Sequence, residues 1–300
     1  MKFLITGGTG FIGSTLTRRL LAEGHQVTTT SSHDYPAKEG HPGLTRLAAD
    51  TTMPGSWQEK VREQDVLINL AGRSVFHLWT ADYKKQIRDS RILTTRNLIE
   101  ALPETGNTIL FSASAAGFYG DGGDHDKDEA SDCGNGFLAE VCREWEMEAG
   151  WARRRGARVV IMRFGVILGA GGGAIATMKR PFAMGLGGPI GSGQQWFPWF
   201  HVEDLIQAFF FLLRRPDLHG IYNFTAPGLV RQKDFARALG EVLHRPAIMP
   251  TPALMMKLLL GDFGRSLLQG QRAIPRALSN MGYRFVFPEL SPALREIFCG

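Results

Sequence analysis

Apolar and polar positions along the chain predict strands that alternate with helices. Short apolar runs are typical of buried strands, and the segments between them carry the three- or four-residue apolar spacing of amphipathic helices. Strands are predicted at residues 3–6, 26–31, 66–70, 108–112 and 159–164, and helices at 11–20, 83–102 and 137–155. Strands separated by helices form a parallel sheet with helices on both faces, so the expected fold class is α/β and doubly wound. Its ligand should lie beyond the carboxyl ends of the strands.

The pattern loosens after Gly165, where glycine-rich segments occupy residues 169–173 and 185–193. Helices follow at 202–213, 234–243 and from 250 to about 260, with a strand at 221–224, and the Leu and Met residues of the last helix are expected in the core. We divide the chain into residues 1–165, to which the strand near 221–225 returns, and a smaller substrate-side domain at 166–300. Residues 185–201 hold Trp196, Trp199 and His201, and form either a plain connection or a substrate wall.

Glycines separate the first strand from the first helix. Gly7 permits a tight turn, Gly10 lets the backbone approach a phosphate, and Gly13 lets the helix pack closely on the sheet. Backbone N–H groups and the helix dipole can then hold a pyrophosphate, although a lone glycine triplet also occurs in purely structural turns. Because this triplet joins the first strand to an amphipathic helix, we predict a Rossmann-type dinucleotide site. Its cradle comprises Gly7, Thr9, Gly10, Phe11, Ile12 and Gly13.

Composition narrows the class of protein. With 44% hydrophobic residues the chain can bury a large core, and the net charge of +5 is scattered apart from residues 153–155, where arginines suit a helix end better than nucleic acid. Three cysteines without a C-x-x-C pair suit a reducing compartment. No signal-peptide layout and no apolar run of about 20 residues is present, so we expect a cytoplasmic protein without a membrane span. The eight histidines lack metal-site spacing, and we predict no metal.

Further motifs occur in order along nearly the whole chain. The chain resembles the extended short-chain dehydrogenases/reductases, the group of nucleotide-sugar epimerases and dehydratases, and more narrowly their epimerase-like subfamily with a C-terminal helical extension. The motifs that carry the wider resemblance are residues 6–13, Asp50, 69–72, 112–120, Arg163, 201–204 and 222–223. Those that carry the narrower one are residues 90–91, 117–121, 145–146, 186–193 and 270–275.

The resemblance implies cofactor contacts beyond the glycine turn. Asp50 would accept a hydrogen bond from the adenine amino group, unless it is only a helix N-cap. Leu70, Ala71 and Gly72 would lie against the cofactor, and Arg163 is counted with them. Arg91 stands where wider relatives carry an asparagine near the cofactor phosphates. Its guanidinium can grip a phosphate bidentately, or it lies on a solvated helix face.

The chain lacks the family's Tyr-x-x-x-Lys pair, in which lysine lowers the tyrosine pKa so that a proton can be exchanged near neutral pH. None of the five tyrosines has a lysine four residues later. On the helix expected to carry the pair, Phe137 stands near the tyrosine position and Val141 near the lysine position. Ser114 matches the family's catalytic hydroxyl, unless it is a strand-end turn former. Tyr119 follows the same strand, and it either supplies a proton or only packs against the nicotinamide.

Two functions of different class remain. The first is an oxidoreductase or epimerase that acts on an unidentified small carbonyl or nucleotide-sugar-like substrate through Ser114 and Tyr119. A tyrosine with its ordinary pKa near ~10 would favour slow, reduction-biased turnover. The second is a sensor or scaffold that binds the dinucleotide without turning it over. We expect a small-molecule partner and no nucleic acid, while the oligomeric state is left open.

The end of the second strand predicts the cofactor. A carboxylate there would bind the ribose hydroxyls of NAD and repel a 2′-phosphate. Here Ser31, Ser32 and His33 offer hydrogen-bond donors, so NADP(H) is preferred. Asp34 would restore NAD(H) if the strand ran longer.

Overall fold

A computed structural model describes residues 1–32 and 40–299. Its strands are β1 (Lys2–Thr6), β2 (Gln26–Ser31), β3 (Leu44–Ala48), β4 (Val66–Asn69), β5 (Ile109–Ala115), β6 (Asp126–Lys127), β7 (Arg158–Phe164), β8 (Val166–Leu168), β9 (Trp199–His201), β10 (Gly220–Phe224) and β11 (Arg272–Ala273). Its helices are α1 (Phe11–Ala22), α2 (Ala81–Glu100), α3 (Phe137–Gly150), α4 (Gly173–Ala183), α5 (Val202–Leu213), α6 (Gln232–Val242), α7 (Ala253–Ser266), α8 (Arg276–Asn280) and α9 (Leu290–Cys299). Three 3₁₀ segments lie at Ser56–Glu63, Ala116–Tyr119 and Trp151–Arg155.

Seven parallel strands form the central sheet in the order β10-β7-β5-β4-β1-β2-β3. The chain runs outward from β1 to β3, then crosses back to β4 and continues to the opposite edge. The strand order therefore reverses between β1 and β4, where Thr6 pairs with Asn69. Such a reversal opens a crevice at the carboxyl ends of the strands. The predicted doubly wound α/β fold is confirmed.

Two apolar layers cover the faces of this sheet. Ile5 of β1 belongs to the layer that includes Leu16 of α1 and Phe209 of α5. Leu4 belongs to the opposite layer, with Leu98 of α2. Successive strand residues point to opposite faces, so a strand buried on both sides needs apolar residues throughout. That requirement explains the continuous apolar runs from which the strands were predicted.

The prediction missed short elements and misjudged some boundaries. Strand β3 was not predicted, and α4 forms from the end of the glycine-rich residues 169–173. Helix α3 ends at Gly150, and the chain continues as 3₁₀ helix to Arg155. Strand β3 is an edge strand with little burial, which leaves it without a distinctive apolar run.

Helix α7 corrects a second expectation. Leu254, Met255, Leu258 and Leu259 were expected in the core, but between 44% and 75% of each residue is exposed. Met256 is buried, and the helical path is interrupted at Gly261, where φ is 55°. Only one stripe of this helix packs on the protein, so apolar spacing on α7 did not indicate burial.

The C-terminal segment is fastened to helix α5 by a buried carboxylate. Asp204, at the start of α5, accepts hydrogen bonds from the Tyr283 hydroxyl at 2.9 Å and from the Val286 and Phe287 N–H groups at 2.8 Å each. Strand β11 also pairs with β6. The division at residue 165 stays a prediction. Across the described ranges, no helix has the length and apolar character needed to cross a membrane.

Candidate functional site

The phosphate turn, residues 7–13, connects β1 to the first turn of α1. Helix α1 begins after Gly10, which has no side chain to cap it, and its first turn carries no acidic residue. The first N–H groups of a helix have no partner within the helix, and its dipole favours an anion there. The turn lies at the reversal between β1 and β4. Its geometry therefore fits a phosphate group of a dinucleotide.

Each glycine of the turn meets a different constraint. Gly7 has a φ of 71°, and a Cβ there would lie 2.8 Å from the Leu70 carbonyl oxygen. A Cβ on Gly13 would lie 2.4 Å from the Gly7 carbonyl oxygen. A Cβ on Gly10 would meet only that same oxygen, at 3.3 Å. Gly7 and Gly13 are therefore required by the fold itself, whereas Gly10 faces the open side of the turn.

The Phe11 side chain points away from the turn, toward the glycine-rich segment before α4. A Cβ on Gly172 would lie 2.3 Å from the Phe11 ring, and one on Gly169 or Gly173 would lie 2.8 or 3.0 Å from it. The glycines make room for this ring. Phe11 can therefore offer a ligand its backbone, while its side chain ties the phosphate turn to α4.

The predicted adenosine end lies at the carboxyl ends of β2 and β3. Ser31 ends β2 and is followed by Ser32, whereas His33 and Asp34 fall outside the described residues. Asp50 is exposed just beyond β3, and its Oδ1 accepts from the Thr52 N–H at 3.0 Å and the Thr52 hydroxyl at 2.6 Å. Asp50 thus stabilises its own turn, and its predicted contact with adenine stays a prediction.

Arg91 lies beside the segment that follows β4. A Cβ on Gly72 would be 3.0 Å from the Arg91 guanidinium carbon, so the glycine leaves space for this group. Arg91 Nη1 donates to the carbonyls of Ile87 at 2.9 Å and Arg73 at 3.1 Å, and the guanidinium lies 5.3 Å from the Trp145 ring centre. Burial lowers the Arg91 pKa. Its guanidinium is therefore held against the protein rather than extended into solvent, and its predicted contact with a phosphate stays a prediction.

A buried polar network begins at the end of β5. The Ser114 hydroxyl donates to Glu146 Oε1 at 2.6 Å. Arg163 Nε and Nη2 donate to the two oxygens of the same carboxylate at 2.8 Å each. Arg163 was counted among the cofactor ligands, but these bonds direct its guanidinium to Glu146 and leave it stacked 3.5 Å above the Phe118 ring. Its position favours a supporting role.

Tyr119 extends the network toward the C-terminal segment. Arg163 Nη1 donates to the Tyr119 hydroxyl at 3.0 Å, and that hydroxyl donates to Asn223 Oδ1 at 2.7 Å. Asn223 Nδ2 in turn donates to the Ile274 carbonyl at 2.9 Å. Burial raises the pKa of Tyr119 to about 12, which corrects the expected value near ~10. Tyr119 is 1% exposed and its proton is held by Asn223, so the structure gives it no free proton for a substrate. Ser114, Tyr119, Glu146, Arg163 and Asn223 are the buried polar network.

Helix α3 lacks a proton-transfer pair in the structure as well. Phe137 packs against Trp79, with ring centres 5.3 Å apart. The residues that approach the end of β5 are Leu138, whose Cβ would be 3.6 Å from a Cβ on Gly117, and Cys142, beside Ser114. The pair with four-residue spacing near the end of β5 is therefore Leu138 and Cys142, each one position after Phe137 and Val141 respectively. Leucine cannot transfer a proton, and burial raises the Cys142 pKa to about 11.

The aromatic residues of the suggested substrate wall separate into two groups. Trp199 and His201 are each 1% exposed and belong to the interior. Trp196 is partly exposed, and the Arg231 guanidinium lies 3.8 Å from its ring centre. Only Trp196 can face a ligand in solution. Within residues 1–32 and 40–299, no group of three His, Cys, Asp or Glu residues is arranged to hold a metal.

Sequence reasoning missed the partners of the network. Glu146 was noted only as part of a family motif, and Asn223 only beside Tyr222. A signal for Glu146 was available: it lies four residues after Cys142, on the face of α3 that is otherwise apolar. A charged residue on a buried helix face needs a buried partner. The identity of that partner, on β7, could not be read from spacing along the chain.

Comparisons with known proteins assign a family to this fold and site. The profile of the NAD dependent epimerase/dehydratase family matches residues 3–224, and that of a domain of unknown function, DUF1731, matches residues 251–297. The epimerase family protein SDR39U1 homolog, chloroplastic, of Arabidopsis thaliana is 38% identical over 99% of this chain and 86% of its own length. A Staphylococcus aureus epimerase family protein is 35% identical over 99% of this chain and 98% of its own length.

Solved structures agree with this assignment. The human epimerase family protein SDR39U1 (isoform 2), crystallised with NADPH, has a TM-score of 0.86 and 34% identity, and the match covers all of both chains. A nucleoside-diphosphate sugar epimerase from Corynebacterium glutamicum has a TM-score of 0.79 and 31% identity, over 99% of this chain and 58% of that one. The resemblance inferred from sequence motifs is therefore confirmed. The chain belongs to the NAD dependent epimerase/dehydratase family.

Proposed function

We propose that this protein binds NADP(H) at the phosphate turn and acts as an oxidoreductase or epimerase on a small carbonyl, alcohol or nucleotide-sugar-like substrate. The observation that carries the proposal is the uncapped start of α1 at the strand-order reversal, where Gly10 leaves the turn open. The preference for NADP(H) over NAD(H), first inferred from Ser31 and Ser32, agrees with the human relative solved with NADPH.

In this proposal the cofactor is held by few side chains. Backbone N–H groups of residues 11–13 bind its pyrophosphate, and Leu70, Ala71 and Gly72 line the neighbouring wall. Arg91 supplies a cation. Among the described residues, no carboxylate lies within ion-pair distance of it. A half-buried charge is stabilised by an anionic partner, which a cofactor phosphate would provide. When bound, the nicotinamide donates or accepts a hydride.

A second function is favoured by one observation. The protons of Ser114 and Tyr119 are both committed to other side chains, and α3 carries no Tyr-Lys pair. An NADP(H)-binding sensor or scaffold would need no free proton donor. Substrate-dependent absorbance change at 340 nm, across a panel of carbonyls and alcohols, separates an enzyme from such a scaffold. A reducing compartment such as the cytoplasm is part of either proposal, and it is supported by the three free cysteines.

Calorimetric titration with NADPH and NADH tests the cofactor. We expect NADPH to bind more tightly, and tighter binding of NADH would overturn the preference. Arg91→Met should weaken NADPH binding by about 10- to 100-fold, since a hydrogen bond to a charged group is worth about 1.5–3 kcal/mol. Arg88→Met is the matched control, because Arg88 lies on the same helix and pairs with Glu144. Equal effects of the two variants would remove Arg91 from the cofactor site.

A further inference from the structure

The direction of one hydrogen bond determines what Ser114 can offer a ligand. A serine hydroxyl has one proton and two lone pairs. The Ser114 proton points to Glu146 Oε1, 2.6 Å away. While that bond holds, Ser114 can only accept further hydrogen bonds.

The surroundings of Ser114 hold the bond in place. Arg163 binds both oxygens of the Glu146 carboxylate, which fixes the carboxylate plane. Ser114 and Arg163 are each 2% exposed, and the Glu146 side chain is 8% exposed. Cys142, the other polar neighbour of Ser114, is a buried thiol that stays protonated, and its sulfur is only a weak acceptor. The charged Glu146 oxygen is the stronger acceptor for the Ser114 proton.

Ser114 also lies near the predicted cofactor crevice. It is the second-last residue of β5, and β5 neighbours β4, one of the two strands at the reversal. Leu70 and Phe164, at this end of the sheet, both pack against the cluster that contains Ala113, and both are partly exposed. The end of β5 therefore borders the crevice predicted for a dinucleotide.

We propose that Glu146 is a positioning residue that makes Ser114 a hydrogen-bond acceptor, so that the site selects hydroxyl donors, alcohols, over carbonyl compounds. This inference rests on the proposed function. The O–H bond of the alcohol breaks as its proton moves to Ser114 Oγ, and the proton of Ser114 moves to Glu146 Oε1, which becomes a carboxylic acid. When bound, the oxidised dinucleotide would take up the electron pair of the alcohol C–H bond as a hydride.

This assignment reverses the expected direction of the reaction. Reduction of a carbonyl requires a proton donor beside its oxygen. Tyr119 donates to Asn223 and Ser114 donates to Glu146, so neither has a proton for that oxygen. The arrangement suits oxidation of an alcohol, in place of the reduction-biased turnover expected from the sequence.

Two small probes test the inference on protein loaded with NADP⁺. Trifluoroethanol donates a hydroxyl proton, whereas dimethyl sulfoxide only accepts, and NMR titration gives a dissociation constant for each. We expect wild-type protein to bind trifluoroethanol at least ten-fold more tightly, and Ser114→Ala to lose this preference. The double variant E146M/R163M should also lose it, because Ser114 is then free to rotate. Replacing both members of a buried ion pair by apolar residues usually preserves folding.

Further variants separate positioning from a merely structural role. Glu146→Asp keeps a charge for Arg163 but withdraws it from Ser114 by one methylene, so it should lower the preference while the protein stays folded. Glu148→Gln is the matched control on α3, because Glu148 pairs with Arg96 outside the network, and it should keep the wild-type ratio. Equal affinity of wild-type protein for both probes, binding of neither, or an unchanged ratio in E146M/R163M would overturn the inference. Failure of wild-type protein to bind NADP⁺ would instead overturn the proposed function.

Discussion

The phosphate turn and the buried polar network lie at the same edge of the sheet but are built in opposite ways. The turn spans residues 7–13 and presents backbone groups, with Gly10 open to the ligand side. The network joins side chains from residues 17 positions apart, Glu146 and Arg163, up to 104 apart, Tyr119 and Asn223. A change at Gly10, on the open side of the turn, should therefore affect binding more than stability. A change in the network should do the reverse.

Breaking the network at its centre has the largest expected effect. Arg163→Met leaves the Glu146 carboxylate buried without its cation, and such a loss costs about 3–5 kcal/mol in free energy of unfolding. Urea denaturation measures it. The double variant E146M/R163M is the control and should recover most of the loss. A cost below about 1 kcal/mol in the single variant would show that water replaces Arg163. The network would then contribute little to stability, contrary to the contrast drawn here with the phosphate turn.

Gly10→Val tests the phosphate turn, the other of the two regions compared. The added side chain occupies the space of the pyrophosphate and meets only the Gly7 carbonyl oxygen within the protein. NADPH binding measured by calorimetry should weaken by at least about 100-fold, through loss of several bonds to charged oxygens. The free energy of unfolding should change by less than about 1 kcal/mol.

Gly13→Val is the contrasting variant, because its Cβ collides with backbone at 2.4 Å. It should lose stability by about 3 kcal/mol, at the upper end of typical overpacking costs. Wild-type NADPH affinity in Gly10→Val would show that the glycines serve only the turn.

The same contrast explains what could be predicted from the sequence. The phosphate turn was predicted because a backbone requirement restricts residues 7–13 to glycine at fixed positions. The network could not be predicted, because the sequence around Glu146 does not indicate that Arg163 is its partner. That pairing depends on how α3 packs over β5 and β7. Tyr119 illustrates this limit. It follows β5 as predicted, but burial raises its pKa, and its proton is held by Asn223 rather than offered to a substrate.

Removing the Tyr119 hydroxyl should destabilise the protein less than Arg163→Met does. Tyr119→Phe removes the donor to Asn223 Oδ1 and an acceptor for Arg163 Nη1, which costs about 1–3 kcal/mol in free energy of unfolding. NADPH affinity should stay within about two-fold of wild type. In wild-type protein, ultraviolet titration should show one tyrosine that ionises only near pH 12, and this step should vanish in the variant. A tyrosine that titrates near pH 10 in its place would contradict the burial of this hydroxyl.

The smallest expected effect comes from His201, whose side chain caps the first turn of α5. The Glu203 N–H donates to His201 Nδ1 at 3.2 Å, so this nitrogen is unprotonated, and Nε2–H donates to Glu296 Oε2 at 3.0 Å. Burial lowers the His201 pKa, and the nearby carboxylates of Glu296, Asp204 and Glu203 oppose that shift without cancelling it. The unfolded chain then binds the proton more readily, so the stability contributed by neutral His201 is present above the unfolded pKa of about 6.5 and is lost as pH falls below it.

His201→Asn keeps an N-cap acceptor and should reduce the fall in free energy of unfolding between pH 7.5 and 5.5, whereas His201→Ala should cost about 1 kcal/mol at pH 7.5 through loss of the cap. Equal pH dependence in wild type and His201→Asn, measured by urea denaturation, would assign the fall to other groups.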